Sequence, residues 1–348
     1  MSIFYYNFDK DKWIKEDRKK TLDLFMEVEY GIRPVECDKS LKYNIIDRKI
    51  ETNIIIEKVE MKYDSHSMVF YIYLPNNDSI NLKTFITIVH PFRDKGDLFN
   101  DYKSISDFCP IDEIIANGFS CILLSAKTVA EDRKGGEETG IFKDMNLERT
   151  DASWGVLSAW AWACSKILDY ISTRKEFNKE RVAVIGHSRG GKTALLASAM
   201  DERFYLTISN NSGNSGAALS RGNTGESVKE IVNRFPYWFC KKYQQFADNE
   251  NKLPFDQHQF LGLIAPRHCY VASATLDEWA DPDGELLSCK LASRYYELFN
   301  LKGVIIPDDF KLDLSYNEGM IAYHRRTGNH ALTNADWKMY MEYFNKIA

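Results

Sequence analysis

The sequence predicts an α/β fold, a three-layer αβα sandwich with a mostly parallel central sheet. Three observations carry that expectation. From residue 85 onward, short apolar runs of strand length alternate with helix-length stretches, and strands joined by helices need right-handed crossovers and a sheet covered on both faces. Near the middle, "RVAVIGHSRGGKTALLA" (181–197) passes from an apolar run through a glycine-flanked turn into a helix-forming run. Finally, 348 residues with 44% hydrophobic and 13% aromatic content can bury a large core, and no polar low-complexity tract interrupts them.

Taken in order, residues 14–30, "IKEDRKKTLDLFMEVEY", carry apolar residues at helical spacing and predict an amphipathic helix within an N-terminal helical extension over about 10–35. The β-rich runs "TNIIIEKVEMKY" and "SMVFYIYLP" follow, the second closed by Pro75 and the turn signal "NNDS". They suit antiparallel strands at one sheet edge. Strand "FITIVH", helix "IDEIIANG" and strand "FSCILLS" come next, then the long helix "ASWGVLSAWAWACSKILDYI". Strand "RVAVIG" leads into helix "GKTALLASAM"; strands "LTISN" and "CYVASAT" continue the series, with helices at about 284–299 and 334–347. No internal repeat or linker-like shift appears, so residues 1–348 read as a single domain. Long insertions within 93–150, including "AEDRKGGEETG", and 211–256, including the aromatic "FPYWF", are placed to leave the sheet at strand C-terminal ends and wall a site there.

A formal net charge of −5 argues against general affinity for nucleic acid or anionic membranes and favours a small molecule or sugar. The seven cysteines are scattered, without a C-x-x-C pair or zinc-ligand spacing, which suits buried thiols in a reducing compartment. "MSIFYYNFDKDKWIKEDRKK" lacks the apolar core of a signal peptide. A cytoplasmic location is the expectation, and a secreted or periplasmic one if a leader was trimmed.

Gly186-His187-Ser188-Arg189-Gly190 fits G-x-S-x-G, and its strand-turn-helix setting is the context a nucleophile elbow requires. There the serine sits on a strained turn, small glycines let strand and helix approach, and the helix N-terminus favours an oxyanion. A serine hydroxyl needs a base, and the base needs an acid; in the α/β-hydrolase order these follow as acid, then histidine. His330, in the polar loop "TGNHAL" before the last helix, is the expected base. His324 reads as a strand end, His268 as structural, and His258 in "LPFDQH" as a structural residue or substrate contact. The acid is expected just past "HCYVASAT", at Asp277 in "TLDEWADPDGE", with Asp281 and Asp283 as competitors and Asp283 read as the N-cap of the next helix.

The segments "GHSRGGKTALLA", "SNNSGNSGAALSR", "GESV", "YWF", "LPFDQH", "IAPRHCYVASATLDEWADPDGE" and "GNHALTNADW" occur in an order that resembles carbohydrate esterase family 15, the glucuronoyl esterases, over about residues 10–345. The resemblance implies an α/β-hydrolase that cleaves the ester between a lignin alcohol and 4-O-methyl-glucuronic acid on xylan, without metal or cofactor. It makes Ser188 the nucleophile, His330 the base and Arg189 an oxyanion stabiliser. Lys192 and Glu226 match the family's contacts to sugar hydroxyls, Trp279 its sugar platform, and His258 falls among the expected substrate contacts. One departure stands out: many members carry a glutamate where this chain has Asn211, which leaves Asp277 as the expected acid. The alternatives are a deacetylase of xylan or other sugars with a smaller acyl pocket, and a binding-only relative that keeps the fold.

Overall fold

The computed structural model describes residues 9–38, 41–77, 79–90, 94 and 96–348; residues 93 and 95 of the first insertion and Asp78 of the "NNDS" turn lie outside them. Strands are β1 (Lys42–Ile50), β2 (Ile54–Tyr63), β3 (His66–Pro75), β4 (Leu82–Val89), β5 (Ser120–Ser125), β6 (Phe177–His187), β7 (Leu206–Asn210), β8 (His268–Ala274) and β9 (Ile321–Arg326). They form one sheet in the order β1-β2-β3-β5-β4-β6-β7-β8-β9. β1, β2 and β3 are an antiparallel meander, β3 meets β5 antiparallel, and every pairing from β5 through β4 to β9 is parallel.

The parallel strands are continuous apolar runs because both faces are covered. Along β6, Val182 and Val184 face one core, shared with helices Val156–Ile171, Arg189–Met200 and Pro282–Glu297. Ala183 and Ile185 face the other, shared with Ile111, Ile114, Trp337, Tyr340 and Phe344 of helices Ile111–Ala116 and Asn334–Ile347. Each such large side chain contributes roughly 1.5–3 kcal/mol on burial. The expected α/β-hydrolase sandwich is thus the architecture found.

Helix Val156–Ile171 is buried nearly all round, which is why its sequence is small and aromatic rather than amphipathic. Its indoles find acceptors in the flanking chain, Trp160 Nε1 on Ala130 O at 3.0 Å and Trp162 Nε1 on Cys37 O at 3.1 Å. The N-terminal extension is helical from Lys10 to Tyr30, with π-type turns at Trp13–Asp17 and Met26–Tyr30. It does more than cap the sheet: Phe25 stacks on Phe255 at 3.9 Å, and Tyr30 donates its hydroxyl to Ser215 O in the loop after β7.

Two differences from the sequence reading have physical causes. β1 was not expected, because an edge strand with almost every side chain in solvent carries charges and no alternation. The N-cap of helix Pro282–Glu297 is Asp281, not Asp283: Asp281 accepts from Gly284 N at 3.0 Å, and Pro282 fills the first helical position, where its fixed φ suits it.

Candidate active site

Ser188 joins β6 to helix Arg189–Met200 at φ 57°, ψ −124°, a region that L residues occupy only when their surroundings enforce it. The enforcement is visible. Ser188 N donates to Asn210 O of β7 at 2.8 Å, and Gly191 N and Lys192 N turn back onto Ser188 O at 2.8 and 3.2 Å. Strand and helix cross so closely that a Cβ on Gly186 would stand 2.0 Å from Gly190 O. The first-turn N–H groups of that helix, with its dipole, lie beside the serine.

Asp277 follows β8 and His330 follows β9, and the two loops are stitched together. Thr275 N donates to Arg326 O and Leu276 N to Gly328 O, both at 2.9 Å, and Gly328 N donates to Thr275 Oγ1 at 3.1 Å. This brings His330 Nδ1 to 2.6 Å from Asp277 Oδ2, and the same oxygen accepts from Asn211 Nδ2 at 2.7 Å. Burial pushes the Asp277 carboxyl up, but the His330 hydrogen bond and charge, helped by Asn211, outweigh it and hold the group below its ordinary range.

The His330 ring packs on His187, the residue before Ser188, with centroids 4.4 Å apart. His187 Nδ1 lies 2.6 Å from Asn210 Oδ1, and Asn210 Nδ2 donates to Tyr340 OH at 3.0 Å. Burial, with His330 adding to it, lowers His187 to about 3, so it is a neutral wall rather than a second base. On the network's assignment its proton sits on Nδ1.

Arg189 opens the elbow helix. Its Nη1 donates to Asp132 Oδ2 at 2.5 Å, and its guanidinium stacks 4.7 Å over Trp238 and 5.2 Å over Phe235. Asp132 Oδ1 accepts in turn from Trp238 Nε1 at 2.8 Å and Tyr237 OH at 3.2 Å. Lys192, one turn further, is buried: Nζ donates to Ser212 O at 2.8 Å, to Asn214 O, and to Glu226 Oε2 at 3.2 Å. Trp279 is 41% exposed, with the Arg234 guanidinium 5.3 Å over its ring, and its carbonyl accepts from Glu226 N at 2.8 Å.

Helix Gln257–Gly262 carries His258, whose imidazole burial holds below its ordinary range beside the charges of Asp256, Arg221 and Arg294. Asp281 is occupied with Gly284 N and Thr224, and Asp283 pairs with Arg325 at 2.7 Å. His268 starts β8 with Nδ1 3.0 Å from Tyr343 OH, and His324 is buried in β9 with Nε2 2.7 Å from Asp336 Oδ1.

Sequence reasoning did not find Asp132, His187, Asn210 or Glu285 as parts of this site. Asp132 sits in "AEDRKGGEETG", a stretch flagged only as a wall; an acid there gives no sign that it will meet an arginine 57 positions on. Glu285 is buried in helix Pro282–Glu297 and accepts from Ser212 N and Gly213 N at 2.9 and 3.0 Å and from Ser273 Oγ at 2.5 Å. Burial pushes it up to about 7. Among the described residues no cluster of three or more His, Cys, Asp or Glu could hold a metal ion, and no helix is long and apolar enough to cross a membrane.

Comparison with known proteins gives a consistent picture. A family model described as "Glucuronyl esterase, fungi" matches residues 96–300. The chain is similar to carbohydrate esterase MZ0003 of an unknown prokaryotic organism, 40% identical over 239 residues, 67% of this chain and 54% of that one. It is also 35% identical over 175 residues to 4-O-methyl-glucuronoyl methylesterase 1 of Sodiomyces alcalophilus, covering 47% of this chain and 35% of the other. The chain thus spans about half the length of the prokaryotic relative and about a third of the fungal one. Its structure is similar to that of the glucuronoyl esterase from Solibacter usitatus, with TM-score 0.87, 30% identity, and 97% and 94% of the two chains covered.

Proposed function

This chain belongs to the glucuronoyl esterase family, carbohydrate esterase family 15, and from that premise we propose that it hydrolyses esters of glucuronic acid or its 4-O-methyl ether, with Ser188 as nucleophile. The observation that carries this reading is the 2.6 Å contact between His330 and Asp277, on a ring packed against the residue before a strained serine.

In the proposed reaction the Ser188 hydroxyl attacks the ester carbonyl carbon while His330 takes its proton; Asp277 holds the ring and stabilises the imidazolium. The tetrahedral oxyanion meets the backbone amide of Arg189, the residue after the nucleophile, and the Arg189 guanidinium. Collapse breaks the ester C–O bond, and His330 returns the proton to the departing alcohol. Water, deprotonated by His330, then cleaves the acyl-enzyme and frees the uronate.

Substrate placement follows the same side of the site. Glu226 Oε2 faces Lys192, which leaves Oε1 for a sugar hydroxyl, and the exposed face of Trp279 suits the apolar face of a pyranose. Lys192 acts first as a clamp on the loop after β7, its donors directed at Ser212, Asn214 and Glu226. A polymer-linked ester such as the lignin–glucuronoxylan linkage is the finer substrate reading, with the chain acting as a single α/β-hydrolase unit.

The test is hydrolysis of the benzyl ester of glucuronic acid beside an aryl acetate, with wild-type protein and Ser188→Ala. Preferential, Ser188-dependent turnover of the uronate ester supports the reading. Preference for the acetate moves the assignment to a sugar deacetylase, and Ser188-independent turnover overturns it.

A further inference from the structure

We propose that Asn211 is a positioning residue for the catalytic carboxylate: its side-chain amide fixes Asp277 Oδ2 toward His330 and tempers the negative charge the imidazole meets. The proposal rests on the assignment of Ser188, His330 and Asp277 given above.

Asp277 Oδ2 is shared by two donors, His330 Nδ1 at 2.6 Å and Asn211 Nδ2 at 2.7 Å. Because an ionised carboxylate can only accept, the amide must present its NH2 there; the reversed amide would set oxygen against oxygen. That orientation leaves Asn211 Oδ1 buried without a partner among the described residues. An unpartnered buried carbonyl is unfavourable, and here the gain is the bond to Asp277.

The backbone under the amide is fixed on both sides. Asn211 N donates to Ala272 O of β8 at 2.7 Å, and the next two N–H groups, of Ser212 and Gly213, both donate to Glu285 Oε1. The residue stands at φ 49°, a conformation asparagine tolerates better than most side chains. The ionisable groups facing this carboxylate are His330 from the loop after β9, His187 from the end of β6 and Glu285 from helix Pro282–Glu297. Asn211 is the neutral donor among them, so it orders the carboxylate without adding charge.

Three variants separate the amide from the backbone. Asn211→Gly accepts φ > 0 and removes the amide; Asn211→Ala removes the amide and strains the turn; Asn211→Asp keeps the shape and replaces the donor with a carboxylate. Steady-state kinetics on the methyl ester of glucuronic acid between pH 5 and 8 should show kcat about tenfold lower in both Asn211→Gly and Asn211→Ala, with KM within about twofold. In Asn211→Asp the acid limb of kcat/KM should move to higher pH by about one unit, since a second carboxylate favours the protonated imidazole. The pH dependence of Ser188 labelling by an aryl fluorophosphonate should move the same way, and this arm stays informative if the ester class is wrong. Wild-type kcat in Asn211→Gly with loss only in Asn211→Ala would assign the residue to its backbone conformation and overturn the proposal. An unmoved pH profile in Asn211→Asp would overturn it equally.

Discussion

Arg189 donates through Nη1 to Asp132 Oδ2 at 2.5 Å, so the arginine beside the nucleophile is held by an acid from the loop after β5. The carboxylate is 1% exposed and is also gripped by Trp238 and Tyr237. An oxyanion donor is useful only if it is in place before the charge develops. Asp132→Ala should therefore lower kcat by about 10- to 100-fold with little change in KM for a uronate ester. A change confined to KM would show that the pair binds substrate instead.

Asp277 and Asp281 stand four residues apart with different work to do. Asp277→Asn should cost on the order of 10⁴ in kcat, because the amide no longer fixes the His330 tautomer or stabilises its charged form. Asp281→Asn should cost roughly 0.5–2 kcal/mol of stability at most, read by urea unfolding, because its work is to cap the helix and bind Thr224. The opposite pattern, activity lost in Asp281→Asn and kept in Asp277→Asn, would reassign the acid.

The elbow depends on the absence of a side chain at Gly186. Gly186→Ala would press a methyl against the Gly190 backbone carbonyl at 2.0 Å, where neither strand nor helix can give way cheaply, and should destabilise the protein by about 3 kcal/mol or more. Among the described residues nothing lies within 4 Å of the corresponding position on Gly96, so Gly96→Ala is the matched control and should stay within about 0.5 kcal/mol.

Stability should also report on Glu29, buried where the N-terminal extension meets helix Gln257–Gly262. Burial raises its carboxyl to about 8, from an ordinary 4.5. A folded-state value above the unfolded one means that folding holds the proton. The stabilisation is complete below the unfolded value and is lost as the pH rises through about 8. Thermal melts of Glu29→Gln should therefore lose less stability than wild type between pH 5 and 9; parallel curves would show that Glu29 does not titrate in this window.

Much of the fold was legible because its elements are locally consistent. "VAVI" into "GHSRGG" into "KTALLA" names strand, turn and helix by propensity alone, and the close crossing needs glycine at Gly186, whereas a Cβ on Gly190 would stand no nearer than 3.6 Å from its neighbours. Candidates set by chain order, Asp277 past β8 and His330 before the last helix, came within hydrogen-bond reach for the same reason. What the sequence hid depends on tertiary approach. β1 lacks a buried face, Asp132 gives no local sign of Arg189, and Asn211 reads as a missing charge although it donates to the acid from the turn after β7.

The central claim is that Ser188 is the activated nucleophile of a Ser188–His330–Asp277 relay, and covalent labelling with an aryl fluorophosphonate tests it most directly. Peptide mass spectrometry should find a single adduct on the peptide containing Ser188, absent in Ser188→Ala and formed orders of magnitude more slowly in His330→Ala. Labelling at another residue, or an undiminished rate in His330→Ala, would contradict the account.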